Sequence, residues 1–209
     1  MSAEGEAGSG LVWRARPASD EDAPADRADL HPSDRGRASS IAHPAVQARF
    51  VVGRALLRET VGALRPDLDA DAIAVVVEPS GRLRIAGHDE LHVSVSHTRG
   101  LAVAVASAVG PVGIDVEPLE RDDLPPVRVW LTAEERRRSD DLAPVDRQPW
   151  LLHLWVAKEA VIKAYPCGGP VPRSAVEVDT DGGVATGPVT ARLRCHTVDD
   201  HFLIVVAIA

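Results

Sequence analysis

The chain has 209 residues, of which 45% are hydrophobic and 26% are charged, and its net charge at pH 7 is −8. Such a chain can fold into one medium domain or two small ones with a hydrophobic core, and its acidity argues against nucleic-acid binding, which needs a basic surface. No apolar run is long enough to span a membrane, and the acidic start MSAEGEAGSG is unlike a signal peptide. We therefore expect a cytoplasmic protein that binds neither nucleic acid nor membranes.

The first half of the chain predicts one principal helix and several strands. Residues 1–30 are rich in small, acidic and proline residues, which indicates a flexible segment, and loop continues to about residue 40. Apolar residues then recur at helical spacing. The predicted elements are a strand in LVWRA (11–15), a helix over 44–64, two strands around the Pro-Ser-Gly turn of 73–87, and strands in LHVSVSHT (91–98) and LAVAVASAV (101–109).

The second half predicts a similar order of elements. These are a strand in VGIDVEPL (112–119), a short helix from LTAEERRR (131–138) with Thr132 and Glu135 as a capping box, a long helix from Pro149 to before Pro166, and strands in 174–179, 190–198 and 201–209. We expect an α+β fold of two similar subdomains, 31–110 and 111–209, related by pseudo-twofold symmetry. Each would be a small sheet packed on a principal helix.

Two acidic residues alternate with aliphatic ones in the strand VGIDVEPL. Asp115 and Glu117 point to one face of a strand, while Ile114 and Val116 point to the other. An exposed strand face would explain the acids, and a hard-cation site is the alternative, since Mg²⁺ prefers carboxylate and phosphate oxygens. Glu159 would add a third carboxylate if the long helix packs over this face.

The only two lysines of the chain flank Glu159 on the long helix, at Lys158 and Lys163. A Glu and a Lys four residues apart commonly form a solvent-exposed pair, but Trp155, one turn earlier, indicates that this stripe is partly buried. Upstream, His97 ends a predicted strand, where it is either a bystander or a hydrogen-bond donor to an anion, assisted by Ser96. Together these residues suggest a site for a metal ion and a polyphosphate. No glycine run forms a P-loop or a dinucleotide-binding motif.

Three motifs in this order resemble the signatures of the 4′-phosphopantetheinyl transferases, specifically the surfactin-synthetase-activating type. They are SVSHT (94–98), GIDVE (113–117) and WVAKEAVIK (155–163). The resemblance implies two α/β subdomains with coenzyme A bound between them. It also implies transfer of 4′-phosphopantetheine to a serine of an apo acyl, peptidyl or aryl carrier protein, with release of 3′,5′-adenosine bisphosphate.

The resemblance further implies individual roles. Asp115, Glu117 and Glu159 would hold Mg²⁺, with Mn²⁺ as a substitute, and Glu159 would accept the serine proton. Lys163 and His97 would act in catalysis on the pyrophosphate. Three roles are open for Lys158: to hold phosphate, to orient Glu159 or to assist proton transfer. The candidate contacts to coenzyme A are Arg35, Arg37, Arg49, Arg82, Ser96, His97, Lys158 and Lys163.

Two other functions fit part of the pattern. One is a scaffold that binds coenzyme A or a carrier protein without catalysis, against which the intact carboxylate trio and both lysines argue. The other is an Mg²⁺-dependent phosphohydrolase in which Glu159 activates water. Because duplicated subdomains would let one chain build the whole site, we expect a monomer. The family type favours carriers of secondary metabolism.

Overall fold

Two units, each with one sheet and one principal helix, make up the structure. It is a computed structural model that describes residues 3–6, 10–18, 30–165 and 171–209. The chain divides into the units Met1–Pro111 and Val112–Ala209. None of the described helices is apolar over the length needed to cross a bilayer.

The first unit contains a six-stranded antiparallel sheet in the order β1-β2-β6-β5-β4-β3. Its elements are β1 (Ala3–Glu6), β2 (Leu11–Ala18), α1 (Pro32–Ser40), α2 (Pro44–Leu64), β3 (Val75–Val77), β4 (Leu83–Ile85), β5 (His92–Thr98) and β6 (Gly100–Ser107). Helix α2 packs on the centre of the sheet. There Leu56, Leu57 and Val61 are buried in one core with Val93 and Ala104, so a single apolar stripe of the helix covers the sheet.

The second unit contains a five-stranded antiparallel sheet in the order β7-β11-β10-β9-β8. Its elements are β7 (Val112–Pro118), α3 (Ala133–Asp141), α4 (Pro144–Ala164), β8 (Glu177–Asp179), β9 (Val184–Thr186), β10 (Ala191–Val198) and β11 (Phe202–Ile208). Helix α4 packs on β7 and β11. The predicted α+β class and the similarity of the two subdomains are confirmed, since each unit is an antiparallel sheet with one 21-residue helix against it.

Helix α1 lies where the sequence predicts a loop. Its residues include glycine and three serines, which are poor helix formers, so local propensity does not predict it. Tertiary contacts stabilise it instead. Asp34 is buried and pairs with Arg58 and, at 3.3 Å, with Arg54 on α2. Gln47 Nε2 donates to the carbonyl oxygen of Ala38 at 2.6 Å, and this bond stabilises the C-terminal end of α1.

Several element ends also differ from the prediction. Helix α4 begins at Pro144, because a proline in the first turn forgoes no intrahelical hydrogen bond, and Pro149 lies inside the helix. Its predicted end at Pro166 lies outside the described residues. Strand β2 extends to Ala18 and pairs with β6 along its whole length. Strands β1 and β2 thus place part of the segment 1–30 in the sheet, and β1 and β9 are strands that the sequence pattern did not predict.

Helix α4 approaches β7 so closely that only glycine fits at position 113. A Cβ atom on Gly113 would overlap the carbonyl oxygen of Ala160 and lie 2.6 Å from the amide nitrogen of Ala164. Residues 113, 115 and 117 share one face of the strand, so the face that meets α4 is the one that carries Asp115 and Glu117. The glycine of the GIDVE motif therefore permits the packing that brings the helix to the acidic strand.

We expect Gly113→Ala to lower the free energy of unfolding by about 2 kcal/mol or more, because the helix must shift to admit the new methyl group. Gly62→Ala on α2 is the control: nothing lies within 4 Å of a Cβ there, and alanine favours a helix over glycine by up to about 1 kcal/mol. Urea unfolding followed by circular dichroism measures both. Equal stability of the two variants would contradict the close packing of α4 on β7.

Candidate functional site

Lys163 joins α4 to the acidic strand. Its ammonium donates to Asp115 Oδ1 at 2.7 Å and to the carbonyl oxygen of Ile114 at 3.2 Å. Asp115 is only 5% exposed, whereas 30% of the Lys163 side chain is exposed. A buried carboxylate needs such a partner to offset its lost hydration. An exposed strand face, the simpler explanation for the acids of β7, does not account for Asp115.

Glu117 lies further along the same strand and pairs with Arg121. Burial raises the pKa of Glu117, and the negative charge of Asp115 adds to this effect. The charge of Arg121 and a hydrogen bond from the Trp155 side chain oppose the shift in this pKa. Asp115 is therefore close enough for its charge to act on Glu117.

Glu159 pairs with a different arginine, Arg173, which follows α4 in the chain. Trp155 lies between the two ion pairs: the Arg121 guanidinium is 5.5 Å from the centroid of its ring and the Arg173 guanidinium is 4.6 Å from it. Contacts of this kind between a guanidinium and an aromatic face are attractive. One indole thus connects the arginine partners of Glu117 and Glu159.

The three predicted metal ligands do not form a preassembled metal cluster. In the part of the chain that the structure describes, no three His, Cys, Asp or Glu side chains are grouped so that they could hold a metal ion. Each carboxylate instead pairs with a cation of its own, Lys163, Arg121 or Arg173. The donor set still suits Mg²⁺, because all three groups are carboxylates and all three lie along the α4–β7 packing or beside it.

Lys158 was predicted to contact a phosphate, but its side chain lies in the interior of the second unit. It is fully buried, and its ammonium lies 2.5 Å from Glu135 Oε2. It also donates to the carbonyl oxygens of Trp130, Arg173 and Val176 at 3.2, 3.0 and 2.7 Å. Burial lowers the pKa of Lys158, and the charge of Glu135 opposes this. With its three N–H groups engaged inside the second unit, Lys158 has none left for a phosphate.

The predicted capping box of Thr132 and Glu135 is confirmed at the start of α3. The backbone N–H of Glu135 donates to the Thr132 hydroxyl at 3.1 Å, and its carboxylate accepts from the Thr132 backbone N–H at 2.9 Å. The same carboxylate accepts from the backbone N–H of Val178 at 3.1 Å. The Lys158–Glu135 pair therefore links α4, the start of α3 and strand β8.

The candidate phosphate contacts of the first unit include three on its sheet. His97 is exposed near the end of β5, and Ser96 beside it is buried. Arg82, just before β4, is half-buried and contacts Nδ1 of His92 at 3.0 Å. Because a guanidinium can only donate, Nδ1 accepts this hydrogen bond. Burial and the charge of Arg82 lower the pKa of His92.

The other three candidates lie on the pair of helices α1 and α2. Arg35 and Arg37 are exposed on α1, and Arg49 is half-buried on α2. Arg35 Nε donates to the carbonyl oxygen of Leu30 at 2.8 Å. Since Asp34 joins α1 to α2, the buried ion pairs of the first unit support the helix that carries two of these arginines.

Sequence reasoning missed the two arginines that flank Trp155. Arg121 follows Glu117 by four residues, a spacing that indicates a pair on a helix but not just beyond a strand. Arg173 lies 14 residues after Glu159, and no spacing rule connects residues so far apart. Only the three-dimensional packing around Trp155 identifies them.

Comparison with known proteins bears on the second unit above all. Residues 111–201 match the sequence model of the 4′-phosphopantetheinyl transferase superfamily. Over 117 residues the chain is 30% identical to "4′-phosphopantetheinyl transferase psf-1" of Bacillus pumilus, an alignment that covers 55% of this chain. The aligned part of the chain spans about half (48%) of the length of that relative. The match over residues 111–201 agrees with the family that the motifs GIDVE and WVAKEAVIK predicted.

We expect Lys158→Met to lower the free energy of unfolding by about 3–5 kcal/mol, because Glu135 would remain buried without its counter-ion. A second change, Glu135→Leu, should recover part of this loss, since the pair then disappears together. Arg137→Met is the control, because its pair with Glu134 is exposed and contributes at most about 1 kcal/mol. Chemical denaturation compares these three variants with the wild type. A Lys158→Met protein no less stable than the control would show that the buried pair is not structural.

Proposed function

We propose that the whole protein transfers the 4′-phosphopantetheine moiety of coenzyme A to a serine of an apo acyl, peptidyl or aryl carrier protein, because residues 111–201 match the sequence model of the 4′-phosphopantetheinyl transferase superfamily. The observation that carries this proposal is the packing of α4 on β7, which aligns Asp115 and Glu117 with the helix that bears Glu159 and Lys163. Acidic ligands and a lysine on adjoining elements are what a metal-assisted reaction of a diphosphate needs.

The proposal includes Mg²⁺, with Mn²⁺ as a substitute, held by Asp115, Glu117 and Glu159. Three carboxylates are hard oxygen ligands of the kind that Mg²⁺ binds together with substrate phosphates. When bound, the ion would neutralise negative charge on the diphosphate. The cations that now pair with these carboxylates are Lys163, Arg121 and Arg173.

In the proposed reaction the serine oxygen attacks the β-phosphorus of coenzyme A. A new oxygen–phosphorus bond forms, the bond from the β-phosphorus to the bridging oxygen breaks, and its electron pair leaves with 3′,5′-adenosine bisphosphate. Glu159 is the proposed acceptor of the serine proton, directly or through a water molecule. Lys163, which is partly exposed beside Asp115, would stabilise the charge that develops on the leaving phosphate.

The first unit would hold the rest of coenzyme A. We propose that His97 and Ser96 contact its phosphates and that Arg35, Arg37, Arg49 and Arg82 provide further positive charge to orient it. Holding the diphosphate in line with the attacking serine lowers the entropic part of the barrier. Lys158 would act only indirectly, through its hydrogen bond to the backbone of Arg173, the partner of Glu159.

The finer biological setting is also proposed. We infer a cytoplasmic, monomeric enzyme that serves carrier proteins of secondary metabolism. A scaffold that binds coenzyme A without catalysis and an Mg²⁺-dependent phosphohydrolase are the competing functions. Products separate the three, because only the transferase adds phosphopantetheine to the carrier, only the hydrolase releases phosphate without doing so, and the scaffold does neither.

We expect the protein, incubated with coenzyme A, Mg²⁺ and an apo carrier protein, to add the mass of phosphopantetheine to the carrier. Glu159→Gln should reduce the rate at least about 100-fold, because the amide cannot accept the serine proton, while coenzyme A binding stays measurable. Glu134→Gln on α3 is the control, since its carboxylate pairs with Arg137 at the surface. Mass spectrometry of the carrier follows the reaction. An unmodified carrier with the wild-type protein, or undiminished turnover in excess chelator, would contradict the proposal.

His97→Ala should weaken coenzyme A binding about tenfold, because a hydrogen bond to a charged phosphate contributes roughly 1.5–3 kcal/mol. His88→Ala is the control, since that ring lies beside Glu90 near an exposed turn. Isothermal titration calorimetry gives both dissociation constants. Equal constants for the two variants would remove His97 from the binding site.

A further inference from the structure

We propose that Arg121 and Arg173 are exchangeable counter-ions that couple metal binding to binding of an anionic diphosphate. In the structure they pair with Glu117 and Glu159. When a divalent cation takes these carboxylates, the guanidinium groups turn to the phosphate oxygens of the cofactor. The inference deepens the proposed function and rests on it, because it assigns two specificity-determining residues to the same site.

The position of Trp155 supports the exchange. Each guanidinium lies near the indole ring as well as beside its carboxylate, so the ring attracts it in either state. Neither arginine is deeply buried, since 22% of the Arg121 side chain and 39% of the Arg173 side chain are exposed. A partly exposed side chain can change rotamer without opening the core.

The backbones of both arginines are fixed by side chains of α4. Gln148 Nε2 donates to the carbonyl oxygen of Arg121 at 2.9 Å, and the Lys158 ammonium donates to the carbonyl oxygen of Arg173 at 3.0 Å. The same helix carries Trp155 and Glu159. Only the guanidinium groups therefore need to move, while the backbones of both arginines and helix α4 stay in place.

Charge balance gives the exchange its direction. Asp115, Glu117 and Glu159 are matched by Lys163, Arg121 and Arg173, so a divalent ion that arrives alone leaves the site with excess positive charge. A diphosphate supplies the negative charge that restores the balance, and guanidinium groups bind phosphate in a bidentate way. Coupling of this kind is reciprocal. If coenzyme A strengthens metal binding by some factor, the metal strengthens coenzyme A binding by the same factor.

The test is titration of the full-length protein with Mn²⁺, followed by electron paramagnetic resonance, with and without coenzyme A and with no carrier protein present. We expect the wild type to bind Mn²⁺ weakly alone and at least about tenfold more tightly with coenzyme A. Arg173→Met should bind Mn²⁺ alone about tenfold more tightly than the wild type, because one repelling charge is gone. The increase in Mn²⁺ affinity that coenzyme A causes should be smaller in Arg173→Met than in the wild type.

Arg121→Met gives a second, independent reading of the same effect, and circular dichroism confirms that each variant is folded. Arg138→Met is the matched control for metal binding, because Arg138 also lies near an indole, 5.7 Å from the Trp150 ring, and pairs with an acid, Asp181, at 3.0 Å. It should leave Mn²⁺ binding unchanged.

Unchanged Mn²⁺ affinity and unchanged coupling in both Arg121→Met and Arg173→Met would overturn the exchange. If the wild type nevertheless modifies the carrier protein, the proposed function stands and only this inference fails. A wild type that binds Mn²⁺ equally well with and without coenzyme A would overturn it as well. Failure of the transfer assay, by contrast, would contradict the function whatever the metal titrations give.

Discussion

The close approach of helix α4 to strand β7 is the constraint on which the candidate site depends. At Gly113 the two backbones meet where the last turns of the helix pass, around Ala160 and Ala164. From there the strand runs back along the helix, so Asp115 meets Lys163 and Glu117 reaches Trp155. A side chain at position 113 would push the helix away and separate all of these partners at once.

The two lysines of α4 lie in different environments, one fully buried and one partly exposed, and helical geometry explains the difference. Successive residues of an α-helix are about 100° apart around the axis, so Lys163 lies about 40° from Glu159, whereas Lys158 lies about 100° from it. Lys163 therefore shares the side of the helix that meets β7. Lys158 points into the interior of the second unit, where Glu135 and three carbonyl oxygens surround it. The fully buried lysine links elements of the fold, and the partly exposed one contacts Asp115 on β7.

The main elements and the acidic side chains could be predicted because they depend on local patterns. Helical periodicity predicted α2 from Pro44 to about Leu64, and the Thr132–Glu135 capping box depends on four consecutive positions. Helix α1 could not be predicted, since its stability comes from the contact of Asp34 with residues on α2. For the same reason the burial of Lys158 and the arginine partners of Glu117 and Glu159 were missed. A motif identifies residue types and their spacing. It does not identify the ion-pair partners that long-range packing brings to those residues.

The proposed function requires that the carboxylates of β7 and α4 hold a divalent ion that also contacts the diphosphate of coenzyme A. Phosphorus electron–nuclear double resonance on Mn²⁺ bound to the protein with coenzyme A tests this most directly. We predict a resolved phosphorus coupling that disappears in Asp115→Asn. A spectrum without phosphorus coupling, or one that Asp115→Asn leaves unchanged, would contradict the claim.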